Sequence, residues 1–308
     1  MALSNEGIIV VGIDGSEAAL VAARWAAVDA IQRGATLRLV HAVQAPPTDA
    51  YPEPALLAPQ VTAQMRARAA RMLQVVADQL IEDNSGLAIE TVQRDGRPAR
   101  VLLDQSMNSI ATVVGADREN RLVGSLFGSV AARMTARGNG AVVIARPNPL
   151  PSNADKTAAV VVGVDGSSHA RAAVGFAYEE AALRGAPLVA IHTWNDKPLE
   201  HALGTYPLEI NAQNIDDREL RILESELAGW EHKFPQVPVR LRVIRGRPTP
   251  TLLRYSTTTG AQPTQLIVVG SRGRGGFSGM LLGSTSQALS AHAECSVAVV
   301  HERKPAFV

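Results

Sequence analysis

Residues 159–167 read AVVVGVDGS, and residues 8–16 read IIVVGIDGS. Each is an apolar, largely β-branched run with no polar alternation, closed by Asp-Gly-Ser. A run of this kind is what a strand covered on both faces by crossover helices looks like. Asp-Gly favours a turn, and Ser16 and Ser167 then stand where a helix N-cap is expected. The offset that carries Gly12 to Gly163 also carries Trp25 to Phe176, Arg33-Gly34-Ala35 to Arg184-Gly185-Ala186, and His41 to His192. With slightly different offsets Gly96-Arg97-Pro98 aligns with Gly246-Arg247-Pro248, Gly115 with Gly270 and Gly128 with Gly283. The chain is two copies of one unit.

Within each copy strands and helices alternate. The first copy predicts strands near 7–13, 36–43, 87–93, 110–115 and 141–146, with helices near 16–33, 60–83, 97–108 and 128–138. The second predicts strands near 159–164, 187–193, 237–244, 265–270 and 296–301, and helices near 167–184, 212–233, 248–259 and 283–293. The fold class is therefore α/β: two tandem domains, each a five-stranded parallel sheet with helices on both faces, in which strands one and four would be neighbours if the order is 3-2-1-4-5, the order that the family resemblance given below implies. Residues 148–157, rich in proline and small polar side chains, read as a linker between a domain at 1–147 and one at 158–308.

Bulk properties exclude several classes. A net charge of +1 gives no electrostatic footprint for nucleic acid or an acidic membrane surface, and 4% aromatic content leaves few rings for a base-stacking platform. No apolar run nears the roughly 20 residues of a membrane span, and the first residues carry no basic leader. These features predict a cytoplasmic protein. The one cysteine, Cys295, precludes an intrachain disulfide and reads as a buried free thiol.

Ligands of such sheets bind at the carboxyl ends of the strands, where strand order reverses. There the stretch 266–285, LIVVGSRGRGGFSGMLLGST, supplies a strand, a glycine-rich loop and a helix start. Free amides and the positive end of a helix dipole make such a loop an anion site, and phosphate is the expected ligand. Candidate contacts are Gly270, Ser271, Arg272, Gly273, Arg274, Gly275 and Gly283, with Ser284 and Thr285 at the expected N-cap. The spacing is neither a Walker loop nor the short dinucleotide turn. Gly163 and Asp165, with Gly12 and Asp14 in the first copy, end strand one. Either aspartate has two readings: a contact to a ribose hydroxyl or a phosphate-bridging Mg ion, or an Asx-turn that closes the connection. Thr193 and Ala42, beyond the structural histidines His192 and His41, would offer backbone to a flat ring. Gly246 and Gly96 mark a turn permitting close approach. The long connections 44–59 and 195–212 are candidate lids or partner surfaces, or plain spacers.

In the first copy Gly115, Gly128 and Ser129 keep the pattern, but Arg118 replaces its second glycine, and Asp117 and Glu119 add negative charge. Nucleotide binding is predicted to be weaker there.

The unit Val-Gly-x-Asp-Gly-Ser, a histidine in strand two, and Gly270-x-x-Gly273-(nine)-Gly283-Ser284 resemble the universal stress protein family, specifically its tandem ATP-binding members, once in each half. That resemblance implies a flavodoxin-like sheet, with ATP and Mg in the cleft. It places adenine near Thr193, ribose and metal near Asp165, and phosphates in the loop 270–285. It also implies an intrachain pseudo-dimer through the final strands, 141–145 and 296–300, and a homodimer, with an unidentified protein partner. A nucleotide-dependent stress-response regulator is favoured over a slow ATPase or phosphotransferase, because neither half offers a Walker lysine or a base beside the loop. A flavin carrier on the same fold is the third reading.

Overall fold

The first strand, β1 (Ile8–Gly12), hands the chain to helix α1 (Glu17–Arg33) through the Asp14-Gly15-Ser16 turn. Ser16 Oγ accepts the Ala19 amide at 3.2 Å, the N-cap the sequence predicts, and Gly34 closes the helix with φ at 64°. The chain continues as β2 (Thr36–Val43), α2 (Ala58–Asp83), β3 (Ile89–Asp95), α3 (Pro98–Ser106), β4 (Ala111–Gly115), α4 (Ser129–Arg137) and β5 (Ala141–Ala145). This computed structural model describes residues 7–44, 58–116, 128–147, 158–194, 212–257, 263–274 and 281–303.

The second half repeats the pattern: β6 (Ala159–Val164), α5 (Ser168–Arg184), β7 (Leu188–Trp194), α6 (Ala212–Lys233), β8 (Val239–Arg245), α7 (Pro248–Tyr255), β9 (Thr264–Gly270), α8 (Ser284–His292) and β10 (Ser296–Val300). Ser167 caps α5 through the Ala170 amide, and Gly185 takes the left-handed C-cap. Contacts divide the chain into two compact units, the first running to Arg146 and the second from Pro147 to Glu302.

Within each unit the five strands pair in parallel. In the first, β3 pairs with β2, β2 with β1, β1 with β4 and β4 with β5; in the second, β8 pairs with β7, β7 with β6, β6 with β9 and β9 with β10. That is order 3-2-1-4-5 twice, so the sheet reverses between strands one and four of each unit. The unbroken apolar runs are buried as expected: Ile9 through Val11 and Val160 through Val162 have no exposed surface.

The helix whose end departs most from expectation is α7. It ends at Tyr255, four residues early, where the Ser256 amide bonds to the carbonyls of Leu252 and Leu253 and three threonines follow. Two adjacent carbonyls sharing one donor mark a closing turn. Cys295 is free and buried.

Candidate functional site

At the carboxyl end of the second unit's sheet lies a cleft of about 410 Å³, within the usual size of a small-molecule site. Four connections wall it. Strand β6 and its turn contribute Gly163 and Asp165, β7 contributes Thr193, the β8–α7 turn contributes Gly246, and the β9–α8 connection contributes Gly270 and Gly273. Arg272, Arg274, Gly283, Ser284 and Thr285 also face it. The elements that the repeats align in sequence thus meet in space. Ser271 is buried behind the wall, with its hydroxyl unpartnered, and Gly275 lies outside the described residues.

The glycines have different reasons. A Cβ on Gly270 would stand 2.7 Å from the His169 carbonyl carbon, and one on Gly273 would stand 2.5 Å from Asp165 Oδ2, so close approach excludes a side chain at both. On Gly163 it would meet Leu252 at 3.0 Å. Gly246 holds φ at 152°, where glycine is favoured. Gly283 is different: its φ is −72° and a Cβ would come no nearer than 3.4 Å to any neighbour.

Asp165 does two jobs within the protein. Oδ1 accepts the Ser167 amide at 3.0 Å, the Asx-turn reading, and Oδ2 accepts the Arg274 amide at 3.0 Å. Ser167 Oγ donates to the Arg272 carbonyl at 3.3 Å, and the Arg274 guanidinium lies over Gly166 where a side chain would stand. The turn after β6 therefore clamps the near end of the glycine loop. At its far end, Gly283 N donates to Ser271 O and Ser286 Oγ to Gly270 O. The Ser271 amide donates to Val300 O, so it is engaged like those of Arg274 and Gly283, and among the described residues of this connection the amides of Arg272, Gly273 and the first turn of α8 are left to the cleft.

The expected N-cap moves by one residue. Gly283, not Ser284, is the N-cap of α8, and no side chain caps it. Ser284 is the first helical residue, and Thr285 Oγ1 pairs instead with Thr249 Oγ1 at 3.1 Å. The first helical bond comes from Gln287 N to Gly283 O, so the amides of Ser284, Thr285 and Ser286 precede the ladder. Helix α7 also begins at this cleft, with Arg247 at its uncapped N-cap. Pro248 and Pro250 carry no amide hydrogen, so its first turn offers only that of Thr249. Two helix dipoles and three arginines, Arg247, Arg272 and Arg274, make the cleft electropositive.

Sequence reading overlooked Arg247 and the apolar wall of Val164, Ile191, Leu252, Val269 and Leu282. The repeated Gly-Arg-Pro was the available signal for Arg247. His192 and His41 are structural: each Nδ1 lies 2.7 Å from a strand-one carbonyl, of Val164 and Ile13 respectively, and His192 Nε2 meets Glu219 at 3.0 Å.

In the first unit Gly12 ends β1, Ala42 lies in β2, Gly96 follows β3 with φ at 139°, and Gly115 ends β4 against the Ala18 carbonyl. Gly128 is the uncapped N-cap of α4 and Ser129 its first residue. Asp14 Oδ1 accepts both the amide and the hydroxyl of Ser16. Asp117, Arg118 and Glu119 lie outside the described residues, as do 45–57 and 195–211 of the two long connections and 148–157 of the expected linker. Among the described residues no group of three or more His, Cys, Asp or Glu side chains could hold a metal, and no helix is long and apolar enough to cross a membrane.

Two parallel α/β units of one pattern, each with its turns gathered at the carboxyl end of the sheet, define the class, and comparison with known proteins gives the family. The profile of the universal stress protein family matches residues 7–146 and again 157–301. A universal stress protein of Mycobacterium tuberculosis is 36% identical over 305 residues, covering 96% of both chains. One from Mycolicibacterium smegmatis is 34% identical over 299 residues, covering 96% of this chain and 97% of its own. The crystal structure of a universal stress protein from Archaeoglobus fulgidus superposes with a TM-score of 0.69 at 20% identity, over 98% of each chain, a likeness of fold. The chain belongs to the universal stress protein family, as a tandem member.

Proposed function

We propose that the second unit binds an adenine nucleotide, ATP, and that occupancy regulates a stress response with little or no turnover. The observation that carries this reading is the cleft itself, where unspent loop and helix amides and three arginines face one electropositive space of nucleotide-compatible size. Gly283 adds support: nothing in its own backbone or surroundings demands a glycine, whereas an occupant pressed against it would.

On this reading the polyphosphate takes the amides of Arg272, Gly273 and the first turn of α8, with the arginines as counter-charges. The ring lies near Thr193 over the apolar wall, and the ribose near Asp165. Asp165 spends two of its four acceptor positions within the protein, so two remain for a ribose hydroxyl or a Mg ion carried in with the phosphates. The domain boundary at 148–157, the cytoplasmic location and the weaker first site, with Arg118 in the pattern, belong to the same proposal. Slow hydrolysis is the second reading. Its disadvantage is chemical: among the described residues Asp165 is the one carboxylate lining the cleft, and on this reading its remaining acceptor positions go to the ribose or the Mg ion, which leaves no base to orient a water.

The test is to denature the purified protein, chromatograph what is released and titrate the stripped protein calorimetrically with ATP and with ADP. Recovered ATP supports the binder, ADP supports hydrolysis, and a flavin, or no response to either nucleotide, overturns the assignment.

A further inference from the structure

The two units are copies of one pattern, so each is a control for the other's charge. Between Glu231 and Glu294 the second unit carries no acidic residue, only one lysine and seven arginines. At an offset of 150 positions Arg240, Arg245 and Arg254 stand where the first unit has Glu90, Asp95 and Asp104, and Arg242 stands at Val92. In the glycine loop, at an offset of 155, Arg272 and Arg274 replace Asp117 and Glu119. Five acids of one copy are thus arginines in the other. The first unit also neutralises its own margin: Glu90 pairs with Arg38 at 3.0 Å, Asp95 with Arg66, and Asp104 with Arg100 at 3.4 Å.

The reversals gather beside the second unit's cleft. Strand β8, outermost in the order of that unit, pairs with β7 and leads into Gly246, which lines the cleft. Side chains alternate across a strand, so Arg242 shares a face with Ile244, which packs on the same apolar cluster as the cleft residues Ile191, Leu252 and Val269. Arg247 opens α7 at the cleft, and Arg254, seven residues and nearly two full turns later, comes round to the same side of the helix. Arg242 and Arg254 are exposed, and neither makes an ion pair among the described residues.

Range decides what these two charges can do. Neither lines the cleft, so what reaches a ligand is their field rather than a bond. Arg254 lies about 10 Å along the helix from Arg247, and Arg242 about 13 Å along the strand from Gly246. Mobile ions screen a charge over about 8 Å at physiological ionic strength and over about 30 Å at 0.01 M, so both fields span the cleft mouth in dilute salt and fade in concentrated salt. A field of one sign beside a cleft concentrates oppositely charged ligand there and raises its rate of entry, and charges at a rim act on association more than on dissociation. We propose that Arg242 and Arg254 are capture residues outside the cleft, which draw the polyanionic nucleotide into the second unit and do not touch it once it is seated. The proposal rests on the ATP reading of that cleft.

Stopped-flow mixing of the full chain with a fluorescent ATP analogue, at ionic strengths from about 0.01 to about 1 M, tests it. The wild-type association rate should fall steeply with salt. R242E/R254D should slow association about tenfold at about 0.01 M and by less than about twofold at about 1 M, with the dissociation rate held within about twofold. R242K/R254K keeps the charge and loses the guanidinium, and should match the wild type throughout. Association of a fluorescent adenosine, which carries no phosphate, should be the same in all three proteins. An ATP analogue that binds none of them overturns the ATP reading and this inference with it. Binding whose rate ignores salt, or is equal in R242E/R254D and the wild type at about 0.01 M, overturns this inference alone, as does slow association in R242K/R254K.

Discussion

Replacing Gly283 by alanine separates ligand binding from folding at this site. Its backbone, φ −72° and ψ 151°, is open to any residue, and the new methyl would lie 3.4 Å from Ser271 O and 3.6 Å from the Arg272 α-carbon, ordinary contact distances. Alanine is a poorer N-cap than glycine by about 0.5–1 kcal/mol, and it recovers about 0.4–1 kcal/mol from the stiffer unfolded chain. Stability should therefore change by less than about 0.5 kcal/mol, a shift of about 2 °C or less in a chain with units of this size. The methyl projects where the proposed phosphate would rest, and a misplaced or lost charge-assisted contact costs about 1.5–3 kcal/mol, tenfold or more in affinity. Gly273→Ala provides the contrast. Its Cβ at 2.5 Å from Asp165 Oδ2 displaces the carboxylate from the Arg274 amide and should cost stability directly, by about 1–3 kcal/mol. Calorimetric titration with ATP, beside melts of both variants, reads the two effects apart. ATP binding by G283A that matches the wild type would refute the assignment of the α8 N-terminus to phosphate.

Asp165→Asn turns one acceptor oxygen into a donor facing an amide, so stability should drop by about 1–3 kcal/mol, with faster hydrogen exchange at Arg274; unchanged exchange there would contradict the clamp. Tyr178 is fully buried with an unpartnered hydroxyl, so Tyr178→Phe should leave the melting temperature level or raise it, and a clear loss would show a missed partner. Burial, then the nearby Glu231 charge, pushes the Tyr178 phenol above its ordinary value near 10. The folded phenol keeps its proton while the unfolded one releases it, so stability is fully present below pH 10 and declines above it. In Y178F that alkaline decline, followed by chemical denaturation, should be shallower. Gly175→Ala drives a methyl into the Trp230 ring and should destabilise the second unit by about 1–3 kcal/mol, measurable in the same melts.

What the sequence carried openly was whatever depends on near neighbours. The apolar runs fixed the strands, Ser16 and Ser167 capped their helices, and Asp14 and Asp165 closed their turns, all within a few residues. The repeat did the rest of that work, since two weak signals at one offset are stronger than either alone. Contacts across the sheet were hidden. That Asp165 also grips the Arg274 amide, 109 positions away, follows from β6 and β9 being adjacent, and composition cannot reveal such a bond. The hydroxyls of Ser284 and Thr285 point to a cap at those positions; the structure gives that place to Gly283 and leaves the dipole uncovered. Arg247 read as turn punctuation until α7 was seen to begin at the cleft. The contact of Trp230 with Gly175 was equally invisible, because the two meet only once α5 and α6 are packed.

Helices α7 and α8 are fastened to one another at both extremities, by the Thr249–Thr285 hydroxyl pair at the start and by Ser256 Oγ, which accepts the Glu294 amide at 3.3 Å, at the finish. Two rods riveted at each end behave as a plate. A tilt of one rod strains the bonds to the other at the front edge, by the cleft, and at the back edge, beside the start of β10. The cleft and the opposite rim of the unit are thus joined through one pair of helices rather than through separate elements.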